Sequence, residues 1–246
     1  MSYIDGFVIP VPTDGKEAYL ASASLAAALF KEFGATRIVE CWGDDVPAGK
    51  VTDFRRAVQA TADETVVFSW VLWPSKEARM EGNKKMEADP RMKEIGMSFD
   101  GKRLIYGSFE AIVDAAAPDA ATGAMRYVEG FVVAVPTANQ EAYRAMAAKA
   151  APSFHGYGAL RLVECWGEDV PRGKVTDFRG AVKATDDETV VFSWLAWPSK
   201  EVRAAGKQKM LDDPEMKMPD DAPFDGQRMI YGGFSVVLDT ASASGA

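Results

Sequence analysis

Histidine is nearly absent from this chain: among 246 residues there is only His155, and there are only two cysteines, Cys41 and Cys165. A single histidine excludes a His-ligated haem in each of two like sites, and no Cys/His grouping has zinc-like spacing. Long apolar runs are missing too. Nothing approaches the ~20 residues that span a bilayer, and the opening Met-Ser-Tyr-Ile-Asp-Gly lacks the basic start and apolar core of a secretion signal. Positive charge is short: 28 Lys and Arg face 36 Asp and Glu, a formal net charge of −8. Such a surface repels phosphate backbones, and no basic patch offsets it, since Lys84-Lys85 is short and surrounded by Glu81 and Glu87. Gly-rich phosphate loops and nucleophile elbows are absent as well. The expectation is a protein of the reducing cytoplasm with no membrane, nucleic-acid, metal or cofactor partner, whose remaining candidate is a small-molecule ligand.

What is present comes twice. Glu40-Cys41-Trp42-Gly43 returns as Glu164-Cys165-Trp166-Gly167, and Val51-Thr52-Asp53-Phe54-Arg55 as Val175-Thr176-Asp177-Phe178-Arg179. Thr65-Val66-Val67-Phe68-Ser69-Trp70 returns as Thr189-Val190-Val191-Phe192-Ser193-Trp194. Tyr3 and Tyr127 set the offset at 124, and one extra residue before Phe224 makes it 125 thereafter. The unit is of domain size, so this is a tandem duplication and not a short-period solenoid. Residues 1–114 form the first repeat, 115–124 a small-residue linker, 125–240 the second repeat, and 241–246 a tail with nothing to bury.

Within a repeat, Tyr3 to Pro12 reads as a strand and Lys16 to Phe33 as a helix closed by Gly34. Thr36 to Trp42 is a second strand. Val51 to Ala60 fits a short helix capped by Thr52 or Asp53 about as well as an extended segment. Thr65 to Trp73 is a third strand, stopped by Pro74. Ser75 caps a helix running to about Met86, Asp89-Pro90 breaks it, and Arg103 to Val113 is the fourth strand. The order is β-α-β-insert-β-α-β, the split βαβ or ferredoxin-like arrangement, an α+β fold with helices on one sheet face. The other face needs a cover. Antiparallel sheets of the two repeats packed face to face would supply it, closing an intrachain pseudo-dimeric α/β barrel.

The run Tyr-x-Asp/Glu-Gly-Phe-Val, the block Glu40 to Arg55 and the block Glu64 to Glu77, each with its second copy, resemble the DUF1428 or YbaA-like family of bacterial proteins. The resemblance covers nearly all of both halves. Members resemble a single copy of this repeat, so the fusion departs from the family pattern. The resemblance implies a dimeric α/β barrel with the intrachain pair replacing a homodimer, and no established activity. The wider superfamily contains enzymes of several kinds, so fold alone does not choose among them.

Strand alternation sorts the candidate chemistry. The most apolar face of each strand is expected to meet the helices. The mixed faces, carrying Asp5, Glu40, Trp42, Ser69 and Tyr106, are expected to turn to the barrel interior or its mouth, as are Glu129, Glu164, Trp166, Ser193 and Tyr231. An enclosed carboxylate has its pKa raised and becomes a candidate general base. Glu40 and Glu164 are therefore the candidate acid/base groups, with Tyr106 and Tyr231 as hydrogen-bond donors and Trp42 and Trp166 as apolar walls. Arg55 and Arg179, or Arg103 and Arg228, could orient an anionic substrate, and Asp5 and Glu129 are further candidate substrate-binding residues. In the competing reading the protein is a non-catalytic structural or stress-related module, Glu40 pairs with one of those arginines and the polar residues form a satisfied network. Asp44-Asp45 and Glu168-Asp169 read as solvated acidic turns. His155 reads as a solvated helix-end residue, and the two cysteines as small apolar core residues.

Overall fold

The computed structural model describes residues 2–118, 120, 124–217, 219 and 221–241. The first repeat contributes β1 (Tyr3–Pro12), α1 (Lys16–Glu32), β2 (Arg37–Asp45), α2 (Phe54–Ala57), β3 (Glu64–Trp73), α3 (Lys76–Ala88), α4 (Pro90–Glu94) and β4 (Ile105–Ala116). The second contributes β5 (Tyr127–Pro136), α5 (Gln140–Gly156), β6 (Arg161–Asp169), α6 (Phe178–Ala181), β7 (Glu188–Trp197), α7 (Lys200–Asp212) and β8 (Ile230–Asp239). Local chemistry sets the boundaries. Gly34 ends the first helix at φ 107, a value that glycine adopts without strain. Ser75 accepts from the Ala78 amide to start α3. Asp89 closes α3 and caps α4, whose first residue is Pro90. The ambiguous segment resolves as a short helix because the Asp53 carboxylate accepts from the Arg56 amide. The expected linker is shorter than the sequence suggests, since β4 continues to Ala116 in register with Arg161. The expected tail lies, beyond Ala241, outside the described residues.

Eight antiparallel strands close a barrel in the order β1-β3-β2-β8-β5-β7-β6-β4. Each repeat supplies four neighbouring strands, and the repeats join by main-chain pairing at two seams, β2 with β8 and β4 with β6. No strand edge is left unpaired. Apolar side chains of both repeats fill the interior in layers: Val66 with Val190, Phe68 with Phe192, Trp70 with Trp194, and Leu72 with Ala196 at the open end. Phe68 stacks on Phe192 at 4.4 Å between centroids, and Trp70 on Trp194 at 4.4 Å. Glycine makes the first contact possible, because a Cβ on Gly130 would lie 2.9 Å from the Phe68 ring. One end of the barrel is plugged by α2 and α6, whose Phe54, Ala57, Phe178 and Ala181 join the interior cluster. The Thr52 hydroxyl ties that plug together by donating to the Ala181 carbonyl of the other repeat at 2.6 Å.

The faces are the reverse of the expectation. The apolar set of each strand lines the barrel, and the mixed set lies beneath the helices. A closed eight-stranded interior filled by side chains offers almost no polar partners, so it takes the apolar face. The layer under the helices is open at its margins and supplies hydroxyl, indole and guanidinium partners. The acidic turns also differ: Asp44 and Asp45 are the end of β2 and carry contacts between repeats. Tyr127 donates to Asp44 at 3.0 Å, Lys200 reaches it at 2.7 Å and Arg203 reaches Asp45 at 2.6 Å. Tyr3 and Lys76 meet Glu168 in the same way.

Candidate functional site

The candidate site of each repeat lies between the sheet and its long helix. Tyr19, near the start of α1, points down onto β2, where its hydroxyl donates to Glu40 Oε2 at 2.6 Å. Ser69 stands directly opposite Glu40 on β3 and lends a second hydroxyl. Trp42 forms the wall, with its ring centroid 6.3 Å from that of Tyr19 and the Lys16 ammonium above it. Phe99, on the segment before β4, covers Tyr19 edge-on at 6.0 Å. The second repeat rebuilds the arrangement with Tyr143 donating to Glu164 at 2.8 Å, Ser193 opposite, and Phe224 against Tyr143. Sequence reasoning found Glu40, Trp42 and Ser69 and missed Tyr19 and Tyr143. The signal was there: Tyr19 and Tyr143 recur at the same place on the apolar stripe of the helix.

Other expected partners are elsewhere. Tyr106 is 49% exposed on β4, opposite Phe7, and the hydrogen bond expected of it is made by Tyr19. Tyr231 holds the matching position, with Lys207 over its ring. Arg55 donates to the carbonyls of Glu64 and Thr61, and Arg179 to those of Glu188 and Thr185. They clamp the loop before β3 and β7 and make no ion pair with Glu40 or Glu164. Arg103 and Arg228 grip Glu64 and Glu188 instead. The expected pairing of Glu40 with one of these arginines is therefore absent. Asp5 belongs to a separate cluster, accepting from Trp73 Nε1, Arg79 and the Ser108 hydroxyl. Its mate Glu129 accepts from Arg203, and among the described residues the Trp197 Nε1 has no acceptor.

A comparison among the buried acids isolates two of them. Asp5 has Arg79 at 2.9 Å, Asp53 has Arg56 at 3.2 Å, Glu64 has Arg103 at 2.6 Å, Glu129 has Arg203 at 2.5 Å and Glu188 has Arg228 at 2.6 Å. Among the described residues, Glu40 and Glu164 alone of this buried set have no cation within salt-bridge distance. The consequence is electrostatic. The guanidinium of Arg103 holds Glu64 down to about 2. Burial pushes Glu40 and Glu164 up to about 7, against the smaller opposing pull of their hydroxyl donors. Burial also raises the Tyr19 and Tyr143 hydroxyls well above their ordinary value, so they remain donors. The thiols of Cys41 and Cys165, free and buried in the barrel, are raised in the same way and are inert packing groups. No group of three or more His, Cys, Asp or Glu residues able to hold a metal occurs among the described residues, and no described helix is long and apolar enough to cross a membrane.

Comparison with known proteins gives a family and a fold. The profile of the family described as "Protein of unknown function (DUF1428)" matches residues 2–101 and again 126–226. The "Uncharacterized protein YbaA" of Escherichia coli K12 is 65% identical over 116 residues, which is 47% of this chain and 99% of that protein. The protein of the same name from Shigella flexneri matches equally. Among solved structures, an anthrone oxidase-like protein aligns with TM-score 0.51 at 14% identity, covering 97% of this chain and 92% of that one. A protein provisionally assigned as a monooxygenase, from Lactobacillus acidophilus NCFM, aligns with TM-score 0.56 at 11% identity, covering 96% and 93%. These similarities extend over the whole barrel and carry the fold, not an activity.

Proposed function

The chain belongs to the DUF1428 family, two copies of whose repeat it joins, and on that premise we propose that it is a small-molecule enzyme that moves protons with paired carboxyl and hydroxyl groups. The observation that carries the reading is the missing cation. Five buried acids are neutralised by arginine, while Glu40 and Glu164 are surrounded by hydroxyls and left near neutrality. A carboxyl poised at about 7 can both take and return a proton at the pH of a cell. The fitting chemistry is proton abstraction from a carbon beside a carbonyl. Glu40 or Glu164 would receive the proton, and the Tyr19 or Tyr143 hydroxyl would donate a hydrogen bond to the oxygen that gathers charge. Trp42 and Trp166 make an apolar wall for a mostly apolar substrate. Phe99 and Phe224 close the site, so substrate entry requires their segments to swing outward.

The close packing over Tyr19 favours a second reading, in which the same groups form the satisfied polar layer of a non-catalytic module. Deuterium exchange separates the two. Protein in D2O is incubated with a panel of small enolisable ketones and acids, and α-carbon deuteration is followed by proton NMR. The enzyme reading expects deuteration that disappears in the Glu40→Gln/Glu164→Gln variant with its fold intact. Equal deuteration by the variant, or none above the heat-denatured control, overturns it.

A further inference from the structure

The barrel is stoppered at one end and open at the other. At the open end, on the opposite side of the sheet from Glu40, lies a cavity of about 370 Å³ lined by both repeats. Trp70 and Trp194 form its floor, Ile4, Ala111 and Met125 its apolar sides, and Arg37 and Arg161 its rim. We propose that this cavity is a second binding site, formed once per chain, for a planar aromatic molecule bearing a carbonyl or carboxylate oxygen.

Three observations converge on that ligand. The volume falls in the range of small-molecule sites, roughly 300–1,000 Å³. The floor is a pair of indoles 4.4 Å apart and 23° from parallel, a surface suited to another flat ring. The lining arginines and indoles keep unused donors, beside the Ser2 hydroxyl and the Asp114 carboxylate that Arg161 already holds. Arg37 uses Nε and Nη2 on Asp239, and Arg161 uses Nε and Nη2 on Asp114. These two-point pairings hold each guanidinium plane in place. Neither Nη1, and neither indole Nε1 of Trp70 and Trp194, has an acceptor among the described residues. A ligand that brings acceptor oxygens at its edge satisfies them, whereas an amine or a purely aliphatic ligand does not.

Fusion explains why there is one site and not a symmetric pair of half-sites. The cavity straddles the pseudo-twofold axis, where a homodimer of single repeats would place identical residues on both sides. Here Leu72 on one side faces Ala196 on the other, and Ala116 and Ala120 reach in from the connection between repeats. The shorter side chain at 196 opens the space asymmetrically. A single asymmetric ligand can then be held in one orientation.

The probe is 1-naphthoate, titrated into the full chain by calorimetry and by near-ultraviolet circular dichroism, which reports the stacked Trp70–Trp194 pair. One saturable molecule per chain is expected, with a change in the indole signal. Ala196→Leu is expected to weaken it at least tenfold, and Glu40→Gln/Glu164→Gln to leave it unchanged, which separates this site from the proton-transfer site. If Ala196→Leu fails to fold, Ala116→Trp fills the cavity from an exposed position on β4 and is expected to act in the same way. No saturable binding, two molecules per chain, or undiminished affinity in the folded cavity-filling variant would overturn the proposal.

Discussion

Glu40 and Glu64 lie on neighbouring strands of one repeat, yet their carboxyls sit near opposite limits, about 7 and about 2. Burial without a cation raises the first, and the hydrogen-bonded guanidinium of Arg103 lowers the second. The two environments make opposite contributions to stability. Glu40 and Glu164 bind a proton more tightly folded than unfolded, where the ordinary value is 4.5. Their contribution is complete below about 4.5 and is lost as pH rises through about 7. The loss is of the order of 3 kcal/mol for each. Glu64 and Glu188 act in the other sense, stabilising above 4.5 and losing the effect as pH falls toward 2. Calorimetric melting across pH should therefore show a maximum near pH 4–5 and a decline to pH 8. The Glu40→Gln/Glu164→Gln variant should match the wild type near pH 4.5 and melt above it at pH 8. A variant whose melting curve runs parallel to that of the wild type would show that these carboxyls are ionised in the fold. Removing an acid to gain stability is the trade-off expected of a functional group.

At the scale of elements, each strand and long helix was legible within a few residues because its apolar pattern repeats with the right period. Alternation also showed which side chains share a face, such as Glu40 with Trp42, and Val67 with Ser69. It could not say which face turns inward. That depends on how much polar company each layer offers, a property of the assembled barrel. Tyr19 was missed for the same reason, since a helix assumed to meet an apolar sheet face has no obvious use for its hydroxyl. Glycine in the strands has a mechanical role that the pattern left unread. Gly130 lies against the Phe68 ring, and a Cβ on Gly6 would come within 3.1 Å of the Phe192 ring. Gly130→Ala is expected to displace the central phenylalanine stack and lower stability by about 1–3 kcal/mol, read by urea denaturation. An unchanged midpoint would mean that the stack yields without strain.

At the scale of the molecule, the duplication predicted the barrel, and the two seams show how it closes. β2 with β8 and β4 with β6 put continuous main-chain ladders between repeats, and Lys200 and Arg203 add charged contacts to Asp44 and Asp45. The linker therefore raises the effective concentration of one repeat for the other without holding them by force. A variant with a protease site at residues 118–124 should remain one particle by gel filtration after cleavage. Its melting temperature should then rise with protein concentration, and that of the intact chain should not. Separation into halves on cleavage would contradict this account of the seams. The site residues were less legible than the barrel, because a carboxylate's role depends on whether a cation reaches it, and Arg55 and Arg103 were both in range on paper. The most direct measurement is a carbon-13 NMR titration of glutamate side chains between pH 3 and 9, with Glu40 and Glu164 assigned by their glutamine variants. The account predicts that these two carboxyls titrate near 7, apart from the rest. Titration of both at or below 4.5 would show a cation or water supplying what the fold withholds, and would contradict it.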